Sequence, residues 1–198
     1  MPEYSKRKYI LELGENVLVQ FSSIFKSPHI KIDDNTRING PINIRGEGKC
    51  SIGKYCAIGY DVKILTSDHE HIYPNLQVAM HEKMNFSKSI TSKTKGVVIG
   101  HNVRISDGAT LLGNINIGNG ALIATESVVT MDVPKYGIVA GNPAKLIKYR
   151  FEEGIVKYME ELKWWDWDKN KIQNNKSFFS TDLSLASSKS ISKSIIKD

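Results

Sequence analysis

Between Ile64 and Val97 the chain reads LTSDHEHIYPNLQVAMHEKMNFSKSITSKTKG, a polar stretch holding three of the five histidines. An imidazole titrates near neutral pH, so a histidine placed here can take a proton from a hydroxyl or an amine and pass it on. His69 stands between two carboxylates, Asp68 and Glu70, either of which could orient its ring. His71 follows two residues later and is the second candidate base. The His69-x-His71 spacing could also serve a metal. No second ligand group accompanies it, so no metal is expected. His81 reads as a surface residue, and any exposed loop histidine can be chemically idle. Cys50 and Cys56 form neither a disulfide framework nor a zinc site. They read as buried structural thiols rather than acyl carriers.

The elements that must position these residues are announced by a repeat. Ile99, Ile105, Leu111, Ile117, Ile123 and Val129 are aliphatic at intervals of six. Four positions after each stand Val103, Ala109, Ile115, Ala121, Ser127 and Val133. Upstream the same period runs through Ile32, Ile38 and Ile44 and, after a two-residue slip, through Ile52, Ile58 and Ile64. A weaker phase begins at Leu13, Val19 and Phe25. Six fits neither a helix nor a long alternating strand. It fits short strands separated by corners, each side turning one large aliphatic inward, with Gly, Asn and Asp at the bends. Three sides close a coil of about 18 residues, and stacked coils bury a continuous column. A β-sandwich would need loops of varying length and should not hold the phase. His29 and His101 then fall at corners and are expected to be exposed.

The rhythm stops after Ile64 and resumes near Val97, which isolates the histidine segment as a long loop on a rigid scaffold, a usual place for chemistry. After the last coil, Phe151 to Leu162 reads as a short helix with Ile155, Tyr158, Met159 and Leu162 on one face. It is expected to cap the end of the solenoid. Trp164, Trp165 and Trp167 read as packing of that cap rather than as a sugar- or adenine-stacking surface. The division expected is residues 1–150 for the solenoid with loop 65–96, 151–172 for the helix and tryptophan cap, and 173–198 for a Ser- and Lys-rich flexible tail.

Of the 198 residues, 40% are hydrophobic and 24% charged, and the formal charge is +6. The charge suits an anionic small molecule or an acidic surface. No nucleic-acid-binding motif accompanies it. No apolar run approaches the roughly 18–20 residues of a membrane span. The N-terminal MPEYSKRKYILEL lacks the apolar core of a signal peptide. A cytoplasmic protein is expected.

Asp68-His69, the run VVIGHNVRISDGATLLGNINIGNGALIATESVVTMDVP, the element VAGNPAKLIKYRF and the later WWDWD together resemble the hexapeptide-repeat acetyltransferases, in their xenobiotic and polysaccharide branch. The resemblance spans about residues 32–172. It implies an all-β fold, a left-handed parallel β-helix with a protruding catalytic loop and a short C-terminal helical appendage. It also implies acetyl-CoA as co-substrate and a homotrimer with sites at subunit interfaces. His69 occupies the position of the family's base, which deprotonates an acceptor that attacks the thioester directly. The coenzyme residues carried over are Asp107, Gly108, Thr125, Thr130, Lys145 and Lys148, with Arg150 a further candidate. Two departures bear on the acceptor. Arg104 in HNVRIS stands where the xenobiotic branch carries tryptophan, and SDHEHIYPNLQ lacks the Asn-His and Met-Asp-Gly pattern of the antibiotic-binding loop. A sugar is therefore favoured: O-acetylation of a bacterial surface-polysaccharide or sialic-acid-type sugar, with N-acetylation of a nucleotide-linked aminodeoxysugar as the alternative. An antibiotic acceptor, a γ-class carbonic anhydrase and a non-catalytic scaffold rank lower.

Overall fold

The computed structural model describes residues 8–68, 70–86 and 95–183, without the side chain of Glu82. Its strands wind in order around three faces. Face 1 holds β1 (Ile10–Leu13), β4 (His29–Ile32), β7 (Cys50–Ile52), β10 (Val97–Ile99) and β13 (Ile115–Ile117). Face 2 holds β2 (Leu18–Val19), β5 (Arg37–Ile38), β8 (Ala57–Ile58), β11 (Arg104–Ile105), β14 (Leu122–Ile123), β16 (Gly137–Gly141) and β17 (Ala144–Tyr149). Face 3 holds β3 (Ile24–Lys26), β6 (Ile42–Arg45), β9 (Val62–Leu65), β12 (Thr110–Leu112) and β15 (Val128–Val129). Consecutive strands never pair until the final hairpin β16–β17, which alone is antiparallel among the described ladders. From β1 to β15 each pairing joins strands three places apart, the signature of a solenoid with a triangular cross-section, and in the last coil β14 pairs with β16.

The register sets the length of each coil. Val97 pairs with Ile115, Arg104 with Leu122 and Thr110 with Val128, so the later coil takes 18 residues. Upstream the partners lie 19 apart, as Ile10 with His29, and then 20 apart, as Ile30 with Cys50. Those coils exceed the expected 18 at the corner between faces 3 and 1. Cys50 pairs directly with Val97, so the ladder closes beneath the long insertion. The sides are short, and six successive inward aliphatics from Ile99 to Val129 are essentially buried. At the corner between faces 1 and 2, Asn16, Asn35, Tyr55, Asn102, Gly120 and Tyr136 all adopt positive φ. That column of left-handed residues makes the turn, and Asn and Gly tolerate it best.

The insertion carries one helix, α1 (Val78–Met84). Beyond β17 come α2 (Glu153–Leu162), a 3-10 turn at Trp164–Asp166, α3 (Lys169–Asn174) and α4 (Lys176–Phe179). This appendage does not sit on the end of the solenoid. It runs down the edge between faces 1 and 2. Trp164 packs on Tyr55, with centroids 5.0 Å apart, and Trp165 stacks on His101 at 5.2 Å. Asn119 Nδ2 donates to Glu160, which also pairs with Lys135, and Lys54 Nζ lies 2.9 Å from Asp166. The tryptophans pack as expected, and Trp165 is buried. The tail expectation is corrected over residues 173–183. Phe178 is buried against Trp167, and Asn175 is fully buried, so α4 is docked by its apolar side chains. Residues 184–198 lie outside the described residues.

No helix among the described residues is long and apolar enough to cross a membrane.

Candidate active site

The expected coenzyme residues divide between two edges of the prism. Asp107 and Gly108 form the corner between faces 2 and 3, and Thr125 and Glu126 form the same corner one coil later. The backbone N–H of Glu126 donates to the Asp107 carbonyl at 3.0 Å, and the N–H of Gly108 donates to that of Tyr60 at 2.8 Å. Gly108 takes φ +70°, which a side chain there would resist. Asp107 Oδ1 accepts from the Tyr60 N–H at 2.9 Å, tying its coil to the one before.

The AGNPAK element arrives at this same corner. Gly141 and Ala144 pair across the β16–β17 turn, with a cis peptide between Asn142 and Pro143. The Gly141 N–H donates to Ser127 Oγ at 3.2 Å, which docks the turn on the coil beside Thr125. Lys145, paired with Ala140, follows immediately and is exposed. Lys148 lies opposite Ile138, farther along the outer edge strand. Arg150 points elsewhere: its guanidinium donates to the Gly120 carbonyl at 2.7 Å and lies over the Phe151 ring. It binds the appendage to the solenoid and is removed from the candidate coenzyme set.

Two grooves flank the corner. One of ≈ 180 Å³ on face 2 includes Tyr60, Arg104 and Asp107. One of ≈ 410 Å³ on face 3 includes Asp61, Lys63, Gly108 and Glu126. The corner thus offers polar side chains of both signs, the acids Asp61, Asp107 and Glu126 beside Lys63 and Arg104.

The other group lies across face 3. Thr130 follows β15 at the corner between faces 3 and 1, where the long loop also departs after Leu65. Asp68 is exposed, and its carboxylate lies 3.8 Å from His71 Nε2. Glu70 is half-buried and His71 exposed. His69 lies outside the described residues. Within one chain the loop root and the Asp107–Thr125 corner are therefore separated by the width of a sheet.

Three histidine expectations are corrected, those for His81, His101 and His29. His81 is buried: Nε2 donates to the Asn75 carbonyl at 3.0 Å, and the edges of Tyr73 and Phe86 pack on the ring. It is the small core of the loop. His101 is half-buried under Trp165, and its Nδ1 accepts from the Lys54 N–H at 2.9 Å. Burial holds its pKa below the ordinary range, aided by Lys54 and opposed by Asp166, Asp33 and Glu160. His29 is half-buried and pairs with Glu12 at 2.8 Å. Cys50 and Cys56 are buried free thiols, pushed by desolvation up to about 12 and about 11. That suppresses the thiolate an acyl carrier needs. Among the described residues no cluster of three or more His, Cys, Asp or Glu could hold a metal ion.

Comparison with known proteins places this geometry in a family. No protein-family model matches the chain. It is 37% identical over 132 residues to a chloramphenicol acetyltransferase of Klebsiella aerogenes, covering 63% of each chain. It is 33% identical over 144 residues to a protein of Lysinibacillus sphaericus named as a macrolide acetyltransferase, covering 69% of this chain and 80% of that one. It is 30% identical over 146 residues to the Escherichia coli protein WbbJ, named for lipopolysaccharide-biosynthesis O-acetyl transfer, covering 69% and 65%. The solved hexapeptide-repeat acetyltransferase of Vibrio cholerae, bound to acetyl coenzyme A, superposes with a TM-score of 0.56 at 25% identity, over 71% of this chain and 72% of that one. The chain belongs to the hexapeptide-repeat acetyltransferase family, whose fold is the left-handed β-helix.

Proposed function

We propose that the protein transfers acetyl from acetyl-CoA to a hydroxyl of a sugar, with His69 as general base. The observation that carries this reading is the docking of the Ala140–Lys145 element, through the Gly141 N–H and Ser127 Oγ, onto the corner that also bears Asp107, Gly108 and Thr125. Backbone groups and Lys145 there supply hydrogen bonds and positive charge for the coenzyme, with Lys148 and Thr130 completing the set. The acceptor hydroxyl gives its proton to the imidazole as its oxygen attacks the thioester carbonyl. The C–S bond then breaks, and the imidazolium returns the proton to the departing thiolate. Asp68 or Glu70 orients the base, and His71 contacts the acceptor.

The active unit is a homotrimer in this reading, since one chain carries the loop and the coenzyme corner on different edges. Similarity to WbbJ supports a polysaccharide-type acceptor. The antibiotic-directed names of the other two relatives make drugs the controls that matter most. A panel of sugars, sugar nucleotides, chloramphenicol and a macrolide is assayed for CoA release, comparing wild type with His69→Ala. Sugar turnover that falls about 10²–10⁴-fold in the variant is the expected result. Turnover of drugs alone, of no acceptor, or full activity in His69→Ala overturns the proposal. A base-labile ester product fits O-acetylation, and a base-stable amide assigns the aminodeoxysugar reaction instead.

A further inference from the structure

On face 2, Arg37 is in register with Ala57, and Ala57 with Arg104. Their neighbours Ile38, Ile58 and Ile105 are buried in the core. Alternation along each strand therefore turns Arg37, Ala57 and Arg104 outward in one row. Two inter-strand steps put the two arginine backbones about 10 Å apart, with only a methyl group between them. The ≈ 180 Å³ groove is lined by Ala57 and Arg104 together with Asn39, Gly59, Ser106 and Asp107; Arg37 stands outside that lining, one strand beyond Ala57. Among the described residues, neither guanidinium has a hydrogen-bond or ion-pair partner. Asp107 is the acid of the groove, and its Oδ1 is engaged by the Tyr60 N–H.

Two unpartnered guanidiniums over a small-residue gap are poor at packing and good at one task. Each offers a planar fork of donors that matches an oxyanion bidentately. Side chains of this length, rooted about 10 Å apart, can converge on a single group held over Ala57. We propose that the Arg37–Ala57–Arg104 row is an anion subsite that holds the phosphate or carboxylate of an acidic acceptor. The proposal rests on the reading of the protein as a sugar acetyltransferase. The groove shares Asp107 with the corner assigned to coenzyme A, so an acid bound there lies beside the donor.

The test is equilibrium binding to the full-length protein at low ionic strength. The probes are UDP for a nucleotide diphosphate, glucuronate for a sugar carboxylate, galactose as the neutral control, and coenzyme A for the donor. UDP or glucuronate is expected to bind more tightly than galactose. Arg104→Ala and Arg37→Ala are each expected to weaken that probe about tenfold or more and to leave coenzyme A binding unchanged. Arg104→Gln, which keeps a planar hydrogen-bonding end on a shorter side chain without the charge, should behave like Arg104→Ala. Circular dichroism and melting show that the exposed substitutions leave the fold intact. Whichever probe responds names the source of the anion. The subsite is overturned if neither acidic probe outbinds galactose, if the variants bind them as wild type does, or if coenzyme A is the ligand that weakens. Failure of acetyl transfer with arginine-dependent probe binding intact would sink the activity and keep the subsite.

Discussion

At the scale of single residues, the histidines separate by what their nitrogens already do. His81 spends Nε2 on the Asn75 carbonyl and is wrapped by Tyr73 and Phe86. His81→Ala is therefore expected to loosen the loop by about 1–3 kcal/mol of local stability. Amide exchange should quicken across residues 73–86 while the melting of the solenoid stays put. Uniform protection in the variant would refute this. His101 spends Nδ1 on the Lys54 N–H, which needs the neutral ring. Its pKa is lowered from 6.5 in the folded protein, chiefly by burial. The unfolded chain therefore takes up the proton first as pH falls through 6.5, so the stability contributed by the neutral ring is present above that pH and declines below it. Loss stops once the folded pKa is passed. Tm measured from pH 8 to 5 should fall less steeply in His101→Ala than in wild type, and equal slopes would exclude the assignment.

At the scale of elements, the short strands of the solenoid are held by the aliphatic column. Ile58 is fully buried at the centre of face 2. Ile58→Ala should cost about 2–5 kcal/mol in denaturant unfolding, because neighbours fixed by two ladders relax poorly into the cavity. Gly96 returns the chain from the long loop with φ +90°, and a Cβ there would lie 1.9 Å from the Lys49 carbonyl oxygen. Gly96→Ala is expected to destabilise by at least about 1–3 kcal/mol and to reduce acetyl transfer by moving the loop root. Wild-type stability in that variant would contradict the register. The strands were legible because each side needs one large inward aliphatic, which repeats in the sequence whatever the corner does. The corners were not. Nothing marks Gly46 to Lys49 as part of a 20-residue coil except the slip from Ile44 to Ile52. The helices α3 and α4 were missed because KNKIQN is polar and KSFF is a single turn, too short for a helical period. Their order comes from single anchors such as Phe178, a tertiary effect without periodicity.

At the scale of the whole molecule, the prism gives each edge a different fate. The appendage covers the edge between faces 1 and 2 through Tyr55, His101 and Asn119. The Asp107–Thr125 corner occupies the edge between faces 2 and 3, and the loop root and Thr130 occupy the third. The 18-residue step from Asp107 to Thr125 could be read from the sequence. That Thr130 falls on another edge could not, without knowing which positions turn. Two open edges carrying complementary halves suit a closed three-fold ring in which each site joins the loop of one copy to the coenzyme corner of the next. The third copy closes the ring, so sedimentation should give a trimer. Complementation tests the shared site directly. A chain with His69→Ala keeps its coenzyme corner, and a chain with Lys145→Ala and Thr125→Ala keeps its loop. Each variant alone should be nearly inactive. Refolded together in equal amounts, they should recover about one quarter of wild-type activity, because one junction in four brings an intact loop to an intact corner. Sites built within single chains would recover nothing on mixing, and that result would refute the shared arrangement.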